Sequence, residues 1–302
     1  MGFFEGKKGL ILGVANDRSI AWAIAKRIID EGGECGFSHL PDRPDDEKQR
    51  NKGRVVKALK KLGEGYEPAL LEPLDVQSDE QIEAIMKVAA DKFGKIDFLL
   101  HSMAFANPND LSGDTIETSR DGFKMAMDIS AYSLIAVCNA AKSILNENAS
   151  VLCMSYFGGE KIVPGYNVMG ICKAALEASM RYMAYDLGPA GVRVNALSAG
   201  PVKTISGVGA GVGPMMKMYE HVAPMARNIT LTEVGDSGAF LLSGLAGGIT
   251  GEVMHVDGGY NAMGSPGRLT EFIQKQSERV TDFTKVALRP LVYQEFVYRE
   301  FV

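Results

Sequence analysis

Two phenols and one ammonium stand in the stretch SYFGGEKIVPGYNVMGICK, residues 155–173, at spacings that could hold a reducible carbonyl: Tyr156, Tyr166 and Lys173. Hydride addition to a carbonyl, or to an alkene conjugated with one, leaves negative charge on oxygen. A phenol can donate a hydrogen bond to that oxygen or protonate it. A nearby ammonium favours the phenolate, and so brings a proton ordinarily held with a pKa of about 10 closer to transfer at neutral pH. Lys173 can supply that charge. It could equally hold the sugar hydroxyls of a nucleotide cofactor, because an ammonium offers three donors.

These groups need a scaffold, and the flanking sequence describes one. The apolar run SVLCM (150–154) reads as a buried strand, Gly158 and Gly159 as a turn, and Pro164 as the start of a helix. Tyr156 then falls at the strand's C-terminal end. Tyr166 and Lys173, seven residues apart, project from one helix face with about 10 Å of rise between them.

The rest of the chain alternates in the same way. GLILGV (9–14) and residues 34–38 read as strands around the helical pattern 20–29, and a third strand ends in Leu74, Asp75 and Val76. Helix 80–93, strand 96–102, a long helical region 119–146, a strand at 192–198, a helix at 232–243 and a last strand at 252–259 follow. The expected fold is a single-domain α/β structure of the Rossmann-like kind, a doubly wound parallel sheet of about seven strands with helices on both faces. Ligands of such sheets lie beyond the strands' C-terminal ends, where Gly13, Asp75 and Ser102 fall. The loop GVANDRSIA (13–21) is the candidate phosphate cradle, because a helix N-terminus presents unpaired N–H groups and Gly13 lets the backbone come close.

Three segments stand apart. Residues 41–61 are strongly charged and read as a loop running into a surface helix. SGVGAGVGP (206–214) satisfies no GxGxxG register, and Pro214 is expected to keep a helix from following at once. With the methionines beyond it, this segment reads as a lid, about 204–222, over an apolar substrate. The body of the protein is therefore 1–264. The extension 265–302, with Leu269, Phe272, Ile273, Val280, Phe283 and Ala287 at near-helical spacing, is expected to dock on its own subunit or a neighbour.

Composition narrows the function. At 302 residues with 46% hydrophobic content, the chain can bury a full core. Its 32 basic and 37 acidic side chains give a formal net charge of −5, which does not point to nucleic acid as a partner. Cys35, Cys138, Cys153 and Cys172 show no metal-ligand spacing and read as buried free thiols; the four histidines join no cysteine cluster, so no metal is expected. No signal-peptide pattern or membrane-spanning apolar stretch is evident, and a cytoplasmic location is expected.

The blocks GVANDRSIAWAIA, LDV (74–76), HSMAFA (101–106), DISAYS (128–133), SYFGGEKIVPGYNVMGICKAALE, VRVNALSAGPVKT and GEVMHVDGGY carry a resemblance. From about residue 5 to 264 the chain resembles the short-chain dehydrogenase/reductase superfamily, and within it the bacterial enoyl-acyl-carrier-protein reductases of fatty-acid synthesis. Ordinary members have Tyr-x3-Lys. Here Gly170 occupies that spacing from Tyr166 and the lysine comes at seven, with a second tyrosine ten residues upstream, which is the enoyl reductase pattern.

The resemblance implies reduction of the trans-2 double bond of an enoyl thioester by NADH. Gly13, Ala15, Ser19 and Ile20 would lie at the pyrophosphate, Asp75 and Val76 at the adenine, and Ser102 and Ala104 near the ribose and nicotinamide. Lys173 would hold the nicotinamide ribose, with Val202 and Thr204 at the carboxamide side. Tyr166 would hydrogen-bond the thioester carbonyl as it becomes an enolate. Tyr156, Phe105, Ala106 and Met169 would line the substrate pocket. Acyl carrier protein would deliver the substrate, and a homotetramer is implied. Two positions depart from the family: Ala104 stands where glycine is usual, and His39-Leu40-Pro41-Asp42-Arg43, at the end of the second strand, offers neither a clear ribose-binding carboxylate nor an arginine cluster. NADH is expected, with NADPH the alternative. The competing functional readings are a 3-oxoacyl or other carbonyl reductase of the superfamily, and a non-catalytic NAD(H)-sensing relative.

Overall fold

The apolar runs of the sequence become strands, and those in the middle of the sheet are buried on both faces, as helix layers above and below demand. In a computed structural model that describes residues 2–111, 113–202, 204 and 212–283, these are β1 Lys8–Leu12, β2 Glu34–His39, β3 Leu70–Pro73, β4 Ile96–His101, β5 Leu145–Ser155, β6 Arg193–Ala199 and β7 Val253–Val256. Among the described residues they form one seven-stranded sheet in the order β3-β2-β1-β4-β5-β6-β7. The pairs from β3 through β6 run parallel. The expected doubly wound sheet is thus present, and its strand order reverses between β1 and β4.

The helices are α1 Ile20–Asp30, α2 Arg50–Leu59, α3 Asp79–Phe93, α4 Pro108–Leu111, α5 Arg120–Met127, α6 Ser133–Ala141, α7 Asn167–Leu187, α8 Val212–Val222, α9 Leu231–Leu242 and α10 Arg268–Phe283. Alternation along the strands divides them. Leu10, Leu12, Leu99, Val151, Cys153, Val194 and Ala196 pack against Ile85 of α3, Val137 of α6 and Leu176 and Met180 of α7. On the opposite face α1 packs against α9, and the Ser150 hydroxyl donates to the Leu241 carbonyl at 2.9 Å. Cys35, Cys138, Cys153 and Cys172 are free and buried. Among the described residues no helix is long and apolar enough to cross a membrane.

The chain resolves into two compact units. One comprises Met1–Ser198 with Leu231–Met254, the other Ala199–Thr230 with His255–Val302. In the second, α8 carries the first part of the C-terminal extension: the rings of His221 and Phe272 stack at 4.4 Å, and the Arg268 guanidinium donates to the Ala223 carbonyl. Residues 284–302 lie outside the described residues.

Four sequence expectations are corrected here. Pro164 does not start a helix; Tyr166 N–H donates to the Val163 carbonyl at 3.0 Å and Gly165 has φ +78°, so Pro164-Gly165 forms a type II turn and α7 begins at Asn167. Leu145 and Asn146, assigned to a helix, open β5, because Leu145 pairs with Ile96 and buries its side chain. Leu74, Asp75 and Val76 follow β3 rather than end it: Leu74 N–H still donates to His39 O at 2.8 Å, but Asp75 Oδ1 accepts from Gln77 N–H at 3.0 Å and turns the chain. Pro214 does not interrupt a helix. It sits in the first turn of α8, where its missing N–H has no intrahelical partner to lose.

Candidate active site

Tyr156 follows the last residue of β5, and a 3-10 turn at Phe157–Gly159 reverses the chain onto α7. That approach leaves no room for side chains. A Cβ on Gly158 would lie 2.4 Å from the Tyr166 ring, and one on Gly170 would lie 2.8 Å from the Gly158 carbonyl oxygen. The glycines therefore let the turn seat on the helix and bring the two phenols together. Their ring centroids are 4.7 Å apart with planes at 66°, an edge-to-face pair worth about 0.5–1.5 kcal/mol beyond its area. Tyr166 occupies the N-cap position of α7 rather than its body.

Lys173, two turns into α7, is 5% exposed and donates from Nζ to the Met154 carbonyl of β5 at 2.7 Å. Burial holds its ammonium below the usual lysine range, while the Cys153 and Cys172 thiols and the Glu177 carboxylate oppose that shift. Tyr166 goes the other way. Burial, then Tyr156 and Cys172, push its phenol well above the ordinary tyrosine value. The spacing left Lys173 two uses, to draw the Tyr166 proton or to hold a sugar; here one donor of its Nζ goes to the strand end, and burial favours the neutral Tyr166 phenol.

Two groups that the sequence reading passed over complete this face. The Ser155 hydroxyl donates to Glu177 Oε1, and Glu177 is 2% exposed one turn beyond Lys173. The i,i+4 spacing of Lys173 and Glu177 was the available signal. His101, at the end of β4, is also buried; Ser133 Oγ donates to Ile129 O at 2.7 Å and so accepts from His101 Nε2 at 2.8 Å. Burial, with Lys173 nearby, brings the His101 pKa down to about 3, so the ring is neutral.

The predicted cofactor residues gather at the strand ends of the first unit. Gly13 has φ +103°, and a Cβ there would stand 2.0 Å from the Ser102 carbonyl oxygen, so the β1 and β4 loops touch at the point where strand order reverses. Ser19, the N-cap of α1, accepts from Ala15 N–H and Asn16 N–H at 3.1 and 3.0 Å. Its oxygen fixes the loop, and the helix's first N–H groups, Ile20 included, are left for an anion. Asp75 N–H donates to Gln81 Oε1 at 2.9 Å, which ties the third-strand loop and buried Val76 to α3. Ser102 is half-buried and Ala104 and Phe105 exposed, whereas Ala106 and Met169 are buried, packed in a small apolar cluster with Val168 and Cys172.

At the end of β2, Asp42 accepts from the N–H groups of Asn51 and Lys52 at 2.6 and 3.2 Å. The carboxylate is therefore committed to the N-terminus of α2. Val202 and Thr204 belong to the second unit, where Thr204 N–H donates to Val202 O at 2.7 Å. The structure thus sets Tyr156 against Tyr166, ties Lys173 of the same helix to the end of β5, and separately sets Gly13 against Ser102. The glycine cradle and the N–H groups at α1 suit a dinucleotide's phosphates.

A family model described as enoyl-(acyl carrier protein) reductase matches residues 13–261. The chain belongs to the enoyl-acyl-carrier-protein reductase family. It is 47% identical to the NADH enoyl-acyl-carrier-protein reductase FabI of Nostoc over 86% of this chain and 98% of the relative. The corresponding Bacillus cereus enzyme is 44% identical over 87% of this chain and 100% of the relative. Among solved structures, an enoyl-acyl-carrier-protein reductase from Anaplasma phagocytophilum in complex with NAD superposes with TM-score 0.80 at 41% identity, covering 88% of this chain and 95% of that one. The Bacillus cereus reductase with NADP+ and an indole naphthyridinone gives TM-score 0.82 at 43% identity, covering 88% of this chain and 100% of that one.

The pH behaviour of this reductase's central phenol follows from its burial. Because the folded pKa of Tyr166 is raised, its neutral form favours the fold, and that contribution is lost as pH climbs past the unfolded value of about 10 through the folded one. Alkaline difference spectra of wild type minus Tyr166→Phe should show one tyrosine ionising above pH 10. A difference that titrates below pH 9 would restore activation by Lys173.

Proposed function

We propose that Tyr166 and Lys173 divide the work of this site between substrate and cofactor. The enzyme is an NADH-dependent enoyl-acyl-carrier-protein reductase that saturates the trans-2 double bond of an enoyl thioester in fatty-acid elongation. NADH, when bound, supplies the hydride. Tyr166, a neutral phenol at the mouth of α7, donates its hydrogen bond to the thioester oxygen as that oxygen takes on enolate charge. Tyr156 packs edge-on against it and fixes its ring. The observation that carries this division is the Lys173–Met154 hydrogen bond: an ammonium anchored to the strand end keeps two further donors for ribose hydroxyls and leaves the phenol protonated.

Around these, Gly13, Ala15, Ser19 and Ile20 receive the pyrophosphate, Asp75 and Val76 the adenine, and Ser102 and Ala104 the nicotinamide end, with Val202 and Thr204 as further cofactor contacts. Phe105, Ala106 and Met169 face the acyl thioester. The lid expected at 204–222 lies outside the described residues at 205–211; its described part carries half-buried Met215, Met216 and Met218 on α8, side chains that adapt to varied apolar shapes. Acyl carrier protein presents the substrate. The body 1–264 acts in the cytoplasm as a homotetramer. The four free thiols support the location, and exposed Ile135, Tyr182 and Tyr185 on α6 and α7 offer apolar surface for subunit contacts.

The purified protein should consume NADH with a trans-2-enoyl thioester and leave a 3-oxoacyl thioester untouched; the reverse preference would make it a carbonyl reductase. In that assay Tyr166→Phe should lower kcat by roughly 10²–10³ with NADH affinity nearly unchanged, by analogy with loss of one oxyanion donor. Lys173→Ala should instead weaken NADH binding, read by fluorescence titration. An unaltered dissociation constant would remove Lys173 from the cofactor.

A further inference from the structure

Between α5 and α6 the chain makes a π turn at Asp128–Tyr132. One-turn π segments interrupt the helical ladder and recur at functional sites. This one grips the surrounding loops at three points. Asp128 Oδ2 accepts from Gln77 Nε2 at 2.9 Å, next to the Asp75–Val76 loop. The carbonyl of Ile129 accepts from Ser133, which in turn receives His101 Nε2 at the end of β4.

The third grip is at Ser130, which is fully buried. Its hydroxyl accepts from Phe105 N–H at 2.9 Å and donates to the Phe105 carbonyl at 3.0 Å, and Met169 Sδ lies 3.8 Å from the same oxygen. One side chain thus satisfies both backbone groups of one residue, as a neighbouring strand would. The Phe105 side chain, by contrast, is 47% exposed. An aromatic side chain left open on a backbone held from both ends is the arrangement a binding contact needs: the ring can meet a ligand while little loop entropy remains to be lost on contact.

We propose that Ser130 is a positioning residue for the acyl substrate, acting through the Phe105 backbone, with the π turn as the rigid mount that holds the Phe105–Ala106 segment against Met169. The proposal rests on the reading of this site as an enoyl reductase. Ser130 touches no reacting atom; its effect is on where the substrate lies.

The test is the Ser130→Ala enzyme, compared with wild type in enoyl thioester kinetics, NADH titration and amide hydrogen exchange. The expected result is a rise of about tenfold or more in the enoyl KM, with kcat within about threefold and NADH affinity within about twofold, the pattern of lost substrate binding rather than lost transition-state stabilisation. The Phe105 amide should exchange faster while the β4 amides stay protected. Should the alanine variant not fold, Ser130→Cys, a weaker donor and acceptor of similar length, should show the same changes to a smaller degree. An unchanged enoyl KM, an unchanged Phe105 amide, or a loss shared equally by kcat and NADH binding overturns the assignment. A wild type that reduces no enoyl thioester overturns the parent reading, whereas an active wild type beside a Ser130→Ala enzyme of equal KM overturns the role of Ser130 alone.

Discussion

The hydrogen bond from the buried Lys173 ammonium to the Met154 carbonyl is the constraint on which the site depends. An ammonium taken out of water loses several kcal/mol of solvation unless partners replace it, so α7 cannot slide along β5 without stranding that charge. Fixing α7 fixes Tyr166 at its first turn. Tyr156 sits two residues past Met154, just beyond the end of β5, so both phenols take their positions from the same contact. The glycines at 158 and 170 then let the intervening turn close the gap between them.

Polar groups around this contact are arranged to hold rather than to titrate. His101 is neutral, Tyr166 is a phenol, and burial pushes the Cys138 and Cys153 thiols up to about 12. Burial also lowers the Lys173 ammonium, and its neighbours Cys153, Cys172 and Glu177 oppose that shift. The result is a set of buried donors in which His101 and Tyr166 are held neutral. Electrostatic stabilisation of an enolate requires such preorganised donors, because a site that must rearrange or reprotonate gives back part of what it gains.

Much of the scaffold could be read directly from the chain, since periods of two and 3.6 in apolar residues report burial on strands and helices. The parallel, doubly wound character of the sheet was legible, and α1, α3 and α9 came out near their true ends. What failed were boundaries where a local cue had two meanings. Pro164 opens a helix in one context and occupies the second place of a type II turn in another, and only the φ of Gly165 separates them. Pro214 breaks a helix in its middle but is harmless in its first turn. Leu145 carries a helical pattern, yet an open place beside Ile96 makes it strand.

By itself the sequence determined which chemical groups are available and in what order: the Tyr-x6-Lys pair, the second tyrosine, the glycine before α1 and the apolar strands that carry them. Those are properties of residue type and spacing, and they identify the reductase family. Tertiary structure alone decided what each group is used for. Asp42, at the end of the second strand, caps α2. Lys173, spaced to activate Tyr166, binds a carbonyl across the sheet boundary, and Ser130, unremarked in the chain, takes hold of Phe105. The physical reason is that hydrogen bonding and desolvation depend on distances between residues far apart in sequence, and those distances exist only once the sheet and its helices have packed.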